Sequence, residues 1–105
     1  MDSEAKRILS KFPGRIPVLV NRASGIASDI PHLPKSKFLV PSNVTVGQFI
    51  FIVRKQLVMP PEKALFLFVN NTLPTSSMLM SELYATHKDK DGFLRVIYTS
   101  ESTFG

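Results

Sequence analysis

The sequence predicts an α+β domain of the grasp type, and three observations carry the prediction. An apolar strand at Lys37 to Pro41 leads into a helix whose Val46, Ile50, Val53 and Leu57 fall at i, i+4, i+7 and i+11, the stripe a helix turns toward a core. A continuously apolar run, Ala64 to Val69, has the length and composition of a buried strand. A last helix and a last strand then close the chain. A helix lying across a mixed sheet is the natural way to bury the Val46 stripe.

Taken in order, residues 2–12, D-S-E-A-K-R-I-L-S-K-F, predict a short amphipathic helix with Ser3 as its cap and Ala5, Ile8, Leu9 and Phe12 at helical spacing. Pro13-Gly14 stops it. A helix of about ten residues is marginal alone, so this one must dock on the domain. Arg15 to Asn21 reads as a strand in which Pro17 argues for an edge position or a strand end. Residues 22–36 carry Gly25, Pro31 and Pro34 without a period and predict a loop. The strand Lys37 to Pro41 and the helix Val46 to Leu57 follow, and Thr45 with Gln48 has capping-box spacing. This helix is greasier than one buried side requires. Phe49, Phe51 and Ile52 either pack beneath other elements or line an apolar groove beside the strand.

Pro60-Pro61 ends that region. Ala64 to Val69 is expected as a central strand buried on both faces, and Asn70-Asn71 as a tight turn into a short return strand, Thr72-Leu73. Ser76 or Ser77 is expected to cap a helix Met78 to His87 with Leu79, Leu83 and Tyr84 inward. Lys88 to Gly92 is a polar turn, Phe93 to Thr99 the last strand, and Ser100 to Gly105 a polar tail interrupted only by Phe104. The organisation expected is a helical segment at 1–14, one domain at 15–99 and a tail at 100–105.

A chain of 105 residues with 44% apolar content buries a single core without disulfide staples. No run approaches the roughly 20 apolar residues of a membrane span, and the charged stretch Met1 to Lys11 is not a secretory signal. Zero cysteines exclude disulfides, thiol catalysis and thiolate metal sites, and fit a cytosolic protein. The net charge of +5 is uneven: between Ala5 and Val58 stand nine Lys or Arg against one acid, Asp29. Such a half draws acidic partners, whether peptide, lipid or nucleic acid.

The chemistry of catalysis is absent. His32 and His87 lack a carboxylate at metal or triad spacing, Gly25 and Gly47 belong to no phosphate-binding pattern, and Asp89 and Asp91 lack the length and closing glutamate of a calcium loop. No catalytic residue, metal site or cofactor is expected. What remains is a groove, a basic face and a tail ending on Gly105, whose carboxylate could be activated and joined to an amine.

Several blocks in order then carry a resemblance over nearly the whole chain from Ile8 onward: K-F-P-G-R-I-P-V near the start, K-F-L-V-P-S-N-V-T-V-G-Q-F from Lys37, A-L-F-L-F-V-N-N from Ala64, and the closing E-S-T-F-G. The chain resembles the autophagy ubiquitin-like modifiers, the family of the GABA type A receptor-associated protein and the microtubule-associated protein light chains. The resemblance implies a ubiquitin-like β-grasp core with a short N-terminal helical addition. It implies that Gly105 is activated by an E1-like enzyme, passed to an E2-like enzyme and joined to phosphatidylethanolamine on the autophagosomal membrane. A deconjugating cysteine protease and cargo receptors bearing an aromatic-x-x-aliphatic motif are the further partners, and the unconjugated protein is a cytoplasmic monomer.

Carried over by position, an aromatic pocket would use Ile8, Pro17, Lys37, Leu39 and Phe93. An aliphatic pocket would use Phe38, Val40, Pro41, Val44, Phe49 and Ile52, and Lys11 and Arg15 would meet flanking acids. The motif peptide would add as a strand to the edge at Lys37 to Val40. The chain departs from the family in having room for one N-terminal helix rather than two, which alters the pocket edge near Glu4 and Ile8. Gln56 stands where relatives often carry a basic residue, and the loop at Ala23 to Pro34 reads as longer and richer in proline. The competing reading is an unconjugated β-grasp module acting on nucleic acid through its basic half. Against it, the aromatics are mostly Phe in core-like strands rather than stacking platforms among the basic residues.

Overall fold

The computed structural model describes residues 4–23 and 30–100. Its elements run α1 (Glu4–Lys11), β1 (Arg15–Arg22), β2 (Lys37–Pro41), α2 (Val46–Gln56), β3 (Phe66–Phe68), α3 (Met80–His87) and β4 (Leu94–Thr99). The four strands form one sheet in the order β2-β1-β4-β3. β1 pairs antiparallel with β2 and parallel with β4, and β3 pairs antiparallel with β4.

This order corrects two expectations. Pro17 lies in β1, an inner strand, which corrects the edge alternative; of the two positions expected it takes the strand end, just ahead of the first pair with β4 at Val18. It is tolerated because its missing N–H falls where no ladder needs it. The bonds Ser42 N to Gly14 O (2.9 Å) and Val20 N to Ser36 O (2.8 Å) fix the alternation of the β1–β2 ladder, so Pro17 and its partner Leu39 form a non-bonded pair whose backbone groups point away from each other. On the other side the pairing with β4 begins one residue later, at Val18. Conversely, β3 is an edge strand, although Leu65, Leu67, Phe68 and Val69 are buried. Its continuous apolar run reports burial and not, among the described residues, a strand partner on both edges.

α2 forms as expected. Thr45 Oγ1 accepts from Gln48 N (3.1 Å) and Gln48 Oε1 accepts from Thr45 N (2.8 Å), closing the capping box. Val46, Val53 and Leu57 are buried and Ile50 half-buried. The three surplus residues divide: Phe49 is 1% exposed, Ile52 half-buried and Phe51 60% exposed. Phe49 meets Phe38 of β2 edge to face, ring centroids 5.9 Å apart.

Asn70 and Asn71 take positive φ of 51° and 64°, but the return strand reduces to a single bridge between Val69 and Thr72. α3 starts at Met80, two residues later than expected. A bridge between Thr45 and Leu79, with bonds Val46 N to Met78 O (2.8 Å) and Met80 N to Val44 O (2.8 Å), holds residues 78–79 extended against the entry to α2. Leu79 is therefore the cap residue and partly exposed, and Met80 is the inward side chain at 0% exposure. The expected serine cap is replaced by Glu82, whose Oε1 accepts from Leu79 N at 3.0 Å.

α1 buries only Ala5 of its expected inward set, leaving Ile8 half-buried and Leu9 and Phe12 partly exposed; Ser3 lies outside the described residues. Ala5 sits against Gly92, where a Cβ would come within 2.9 Å of the alanine methyl. Among the described residues no helix is long and apolar enough to cross a membrane.

Candidate functional site at the free edge of the sheet

Among the described residues β2 ends the sheet, and the β1–β2 alternation determines which of its backbone groups are open. Pairs 16–40 and 18–38 exchange bonds, so Lys37 and Leu39 turn their N–H and C=O groups toward the free edge. The side chains alternate as well. Phe38 and Val40 point into the core at 8% and 3% exposure, while exposed Lys37 and half-buried Leu39 share the other face. The edge thus offers a backbone template with a hollow on either side of the sheet.

On the α1 side, Pro17 is buried opposite Leu39, and Phe93 is 6% exposed just ahead of β4. Lys37 ties these residues to the helix. Its ammonium lies 6.0 Å from the Phe93 ring centroid and forms an ion pair with Glu4, one helical turn from Ile8 on α1. Both partners are nearly half exposed, so the pair contributes only about 0–1 kcal/mol and is readily opened. Glu4, Arg7, Ile8, Lys11 and Phe12 line a hollow of about 270 Å³ beside it. The structure therefore gathers Ile8 and Lys11 at one wall and joins Lys37 to Phe93 and Glu4. Arg15 reaches the edge itself, its Nη1 donating to Leu39 O at 3.2 Å.

The turn that presents Phe93 is held by charge. Arg95 bonds Asp89 at 2.9 Å and Asp91 at 2.8 Å, and Asp91 Oδ1 accepts from Phe93 N at 3.1 Å. The bonds from Arg95 and then from Phe93 N hold the Asp91 carboxyl below its usual pKa, and Arg95 is correspondingly raised. Tyr84 donates to Gly92 O at 2.6 Å, and its hydroxyl pKa is pushed up by burial first and by the Asp91 charge second.

On the α2 side the carried-over residues separate into two groups. Phe38, Val40 and Phe49 belong to the core cluster, and Val44 and Ile52 pack against it from outside. Pro41 is half-buried at the end of β2. Val44 and Ile52 line a hollow of about 610 Å³ together with Gln48, Phe51 and Ser76. Phe51 is a lining residue that the positional reading left out. Its surplus apolar surface on α2 was the signal that could have found it. Gln56 is exposed at the end of α2, and Gly105 lies outside the described residues.

The whole chain, residues 1–105, matches the family model described as autophagy protein Atg8, ubiquitin-like. Autophagy-related protein 8 of Vanderwaltozyma polyspora is 55% identical over 103 residues, covering 98% of this chain and 86% of the relative. Autophagy-related protein 8d of Arabidopsis thaliana is 52% identical, covering 98% and 84%. Among solved structures, that of Trypanosoma brucei ATG8 superposes with a TM-score of 0.87 at 41% identity, covering 97% of this chain and 86% of that one. Plasmodium falciparum Atg8, solved in complex with an Atg3 peptide, gives 0.85 at 40% identity, covering 96% and 88%. The fold is ubiquitin-like, and the chain belongs to the Atg8 family of autophagy ubiquitin-like modifiers.

Proposed function

We propose that this chain is a membrane-conjugated modifier and adaptor of autophagy, with residues 100–105 as its conjugation segment and the β2 edge as its peptide-binding site. One observation carries the adaptor half: at Lys37 and Leu39 the β2 backbone turns its bonding groups outward, with a hollow lined by Glu4, Ile8 and Lys11 on one side and a Val44 and Ile52 hollow on the other. An aromatic-x-x-aliphatic peptide added as a strand would send alternate side chains toward the two hollows while its backbone bonds to the edge. That a relative from Plasmodium falciparum binds an Atg3 peptide supports a peptide-recognising role for this fold.

Membrane attachment comes from the tail. E1-like and E2-like enzymes carry the Gly105 carboxylate to the amine of phosphatidylethanolamine, forming an amide with net loss of water, and a cysteine protease reverses the bond. The protein is then cytoplasmic when free and autophagosomal when lipidated. The test is the mass of the C-terminal peptide from protein recovered from the membranes of starved cells. Gly105 joined to phosphatidylethanolamine is the expected result. Gly105 free on every molecule would overturn conjugation and leave only the peptide-binding half of the proposal.

A further inference from the structure

We propose that Arg15 makes strand addition on β2 conditional on an acidic residue in the ligand. The inference rests on the peptide-binding reading of the edge. Leu39 O is one of the acceptors that β2 turns outward, so an added strand must bond to it through a backbone N–H. In the free protein this oxygen already accepts from Arg15 Nη1, which reaches over from the neighbouring strand. A carbonyl oxygen has two lone pairs, but a ligand N–H sharing it would approach with its positive pole beside a guanidinium. The occupied acceptor disfavours any strand that brings only backbone.

A ligand carboxylate changes the balance. Guanidinium bonds to a carboxylate more strongly than to a neutral carbonyl, and with two parallel bonds where geometry allows. An acid placed beside the added strand would draw Arg15 away and leave Leu39 O for the ligand N–H. The acid then acts by attraction and also by exposing the acceptor. Lys37 is less suited to this task because its ammonium pairs with the Glu4 carboxylate, so drawing it away releases a side chain and not a strand acceptor. Arg15 is thus a specificity-determining residue that penalises ligands without acid, a sign that simple charge attraction does not give.

The experiment uses the full chain and two aromatic-x-x-aliphatic peptides, one preceded by Asp and Glu and one by Asn and Gln, measured by calorimetry against wild type, Arg15→Ala and Arg15→Gln. The acid-bearing peptide should lose about fivefold in affinity with either variant, the worth of a surface ion pair. The acid-free peptide should gain about threefold, because the backbone acceptor is released. In the ligand-free protein the carbonyl carbon resonance of Leu39 should move with both variants. An acid-free peptide that binds the variants no more tightly than wild type overturns the proposal, as does an unmoved Leu39 carbonyl. If neither peptide binds wild type, the peptide-binding reading falls and the coupling falls with it.

Discussion

Tyr98 shows how one polar atom fixes a segment of chain. The residue is 1% exposed in β4, and its hydroxyl donates to Pro31 O at 2.8 Å and accepts from Leu33 N at 3.1 Å, fastening residues 31–33 to the sheet. Tyr98→Phe keeps the packing and strands both partners, so it should cost about 1–3 kcal/mol and deprotect the Leu33 amide, read by denaturant unfolding and hydrogen exchange. Burial raises the Tyr98 pKa, partly offset by the bond from Leu33 N and the Arg22 charge. A raised folded-state pKa means that the stabilisation is complete below the ordinary tyrosine pKa near 10 and is lost as pH climbs through the folded value. The variant should accordingly show a flatter alkaline limb of stability than wild type. Unchanged Leu33 exchange would remove the anchoring role. Legibility at this scale followed locality. The Thr45 and Gln48 cap was readable because both partners lie within one turn of sequence. The two-residue delay of α3 was not, because it is imposed by a bridge from Thr45, far away in the chain.

Among the elements, α1 depends on a glycine it does not contain. Gly92 has φ of +88°, and a side chain there would collide with Ala5 at 2.9 Å, so Gly92→Ala combines backbone strain with displacement of the helix. Gly14 has nearly the same φ, +85°, with nothing within 4 Å of its would-be Cβ. Gly14→Ala should therefore cost only the conformational penalty, about 1–2 kcal/mol. Gly92→Ala should cost more than that and selectively deprotect the α1 amides, measured by denaturant midpoint and hydrogen exchange. Equal effects of the two variants would show that α1 does not bear on Gly92. The same scale explains what the sequence concealed in the sheet. Pro17 suggested an edge or a strand end and the run Ala64 to Val69 a central strand, whereas β1 is an inner strand whose pairing with β4 starts just after Pro17, and β3 is an edge strand. Neither composition nor period encodes the register that leaves Pro17 unpaired on one side, nor the edge place that β3 takes among the described residues.

For the molecule as a whole, the basic character read from composition survives folding, although several of the charges are engaged. Arg54 donates to Pro60 O and Pro61 O, Arg22 to Ile30 O and Arg15 to Leu39 O, all neutral acceptors that leave the positive charge in place. Lys37, by contrast, is neutralised by Glu4. The surplus of positive charge in this half therefore still acts at long range, whereas the apolar hollows act only at contact. The candidate site was legible to the extent that Lys37, Leu39, Val44 and Ile52 reach its surface; the depth of Phe38, Val40 and Phe49 in the core was not, since carried-over positions say nothing of burial. That depth decides which variants are informative. Phe49→Ala would remove a fully buried ring at a cost of about 3–5 kcal/mol to the fold, and any loss of binding would be confounded with unfolding. Ile52→Ala, at a half-buried position, tests the hollow with less damage. The two kinds of interaction should separate kinetically for an acid-flanked aromatic-x-x-aliphatic peptide. Raising salt from about 0.01 M to about 1 M shortens the screening length from roughly 30 Å to roughly 3 Å. The association rate should then fall about tenfold or more, with a much smaller change in dissociation. Ile52→Ala should do the reverse, speeding dissociation and sparing association, because the lost contact forms only after docking. Stopped-flow measurement of both rates decides the matter. Salt dependence residing mainly in dissociation would show that the positive charges hold the peptide rather than steer it, and would leave acid recognition to local pairs such as that at Arg15, with no part for the field of the basic half.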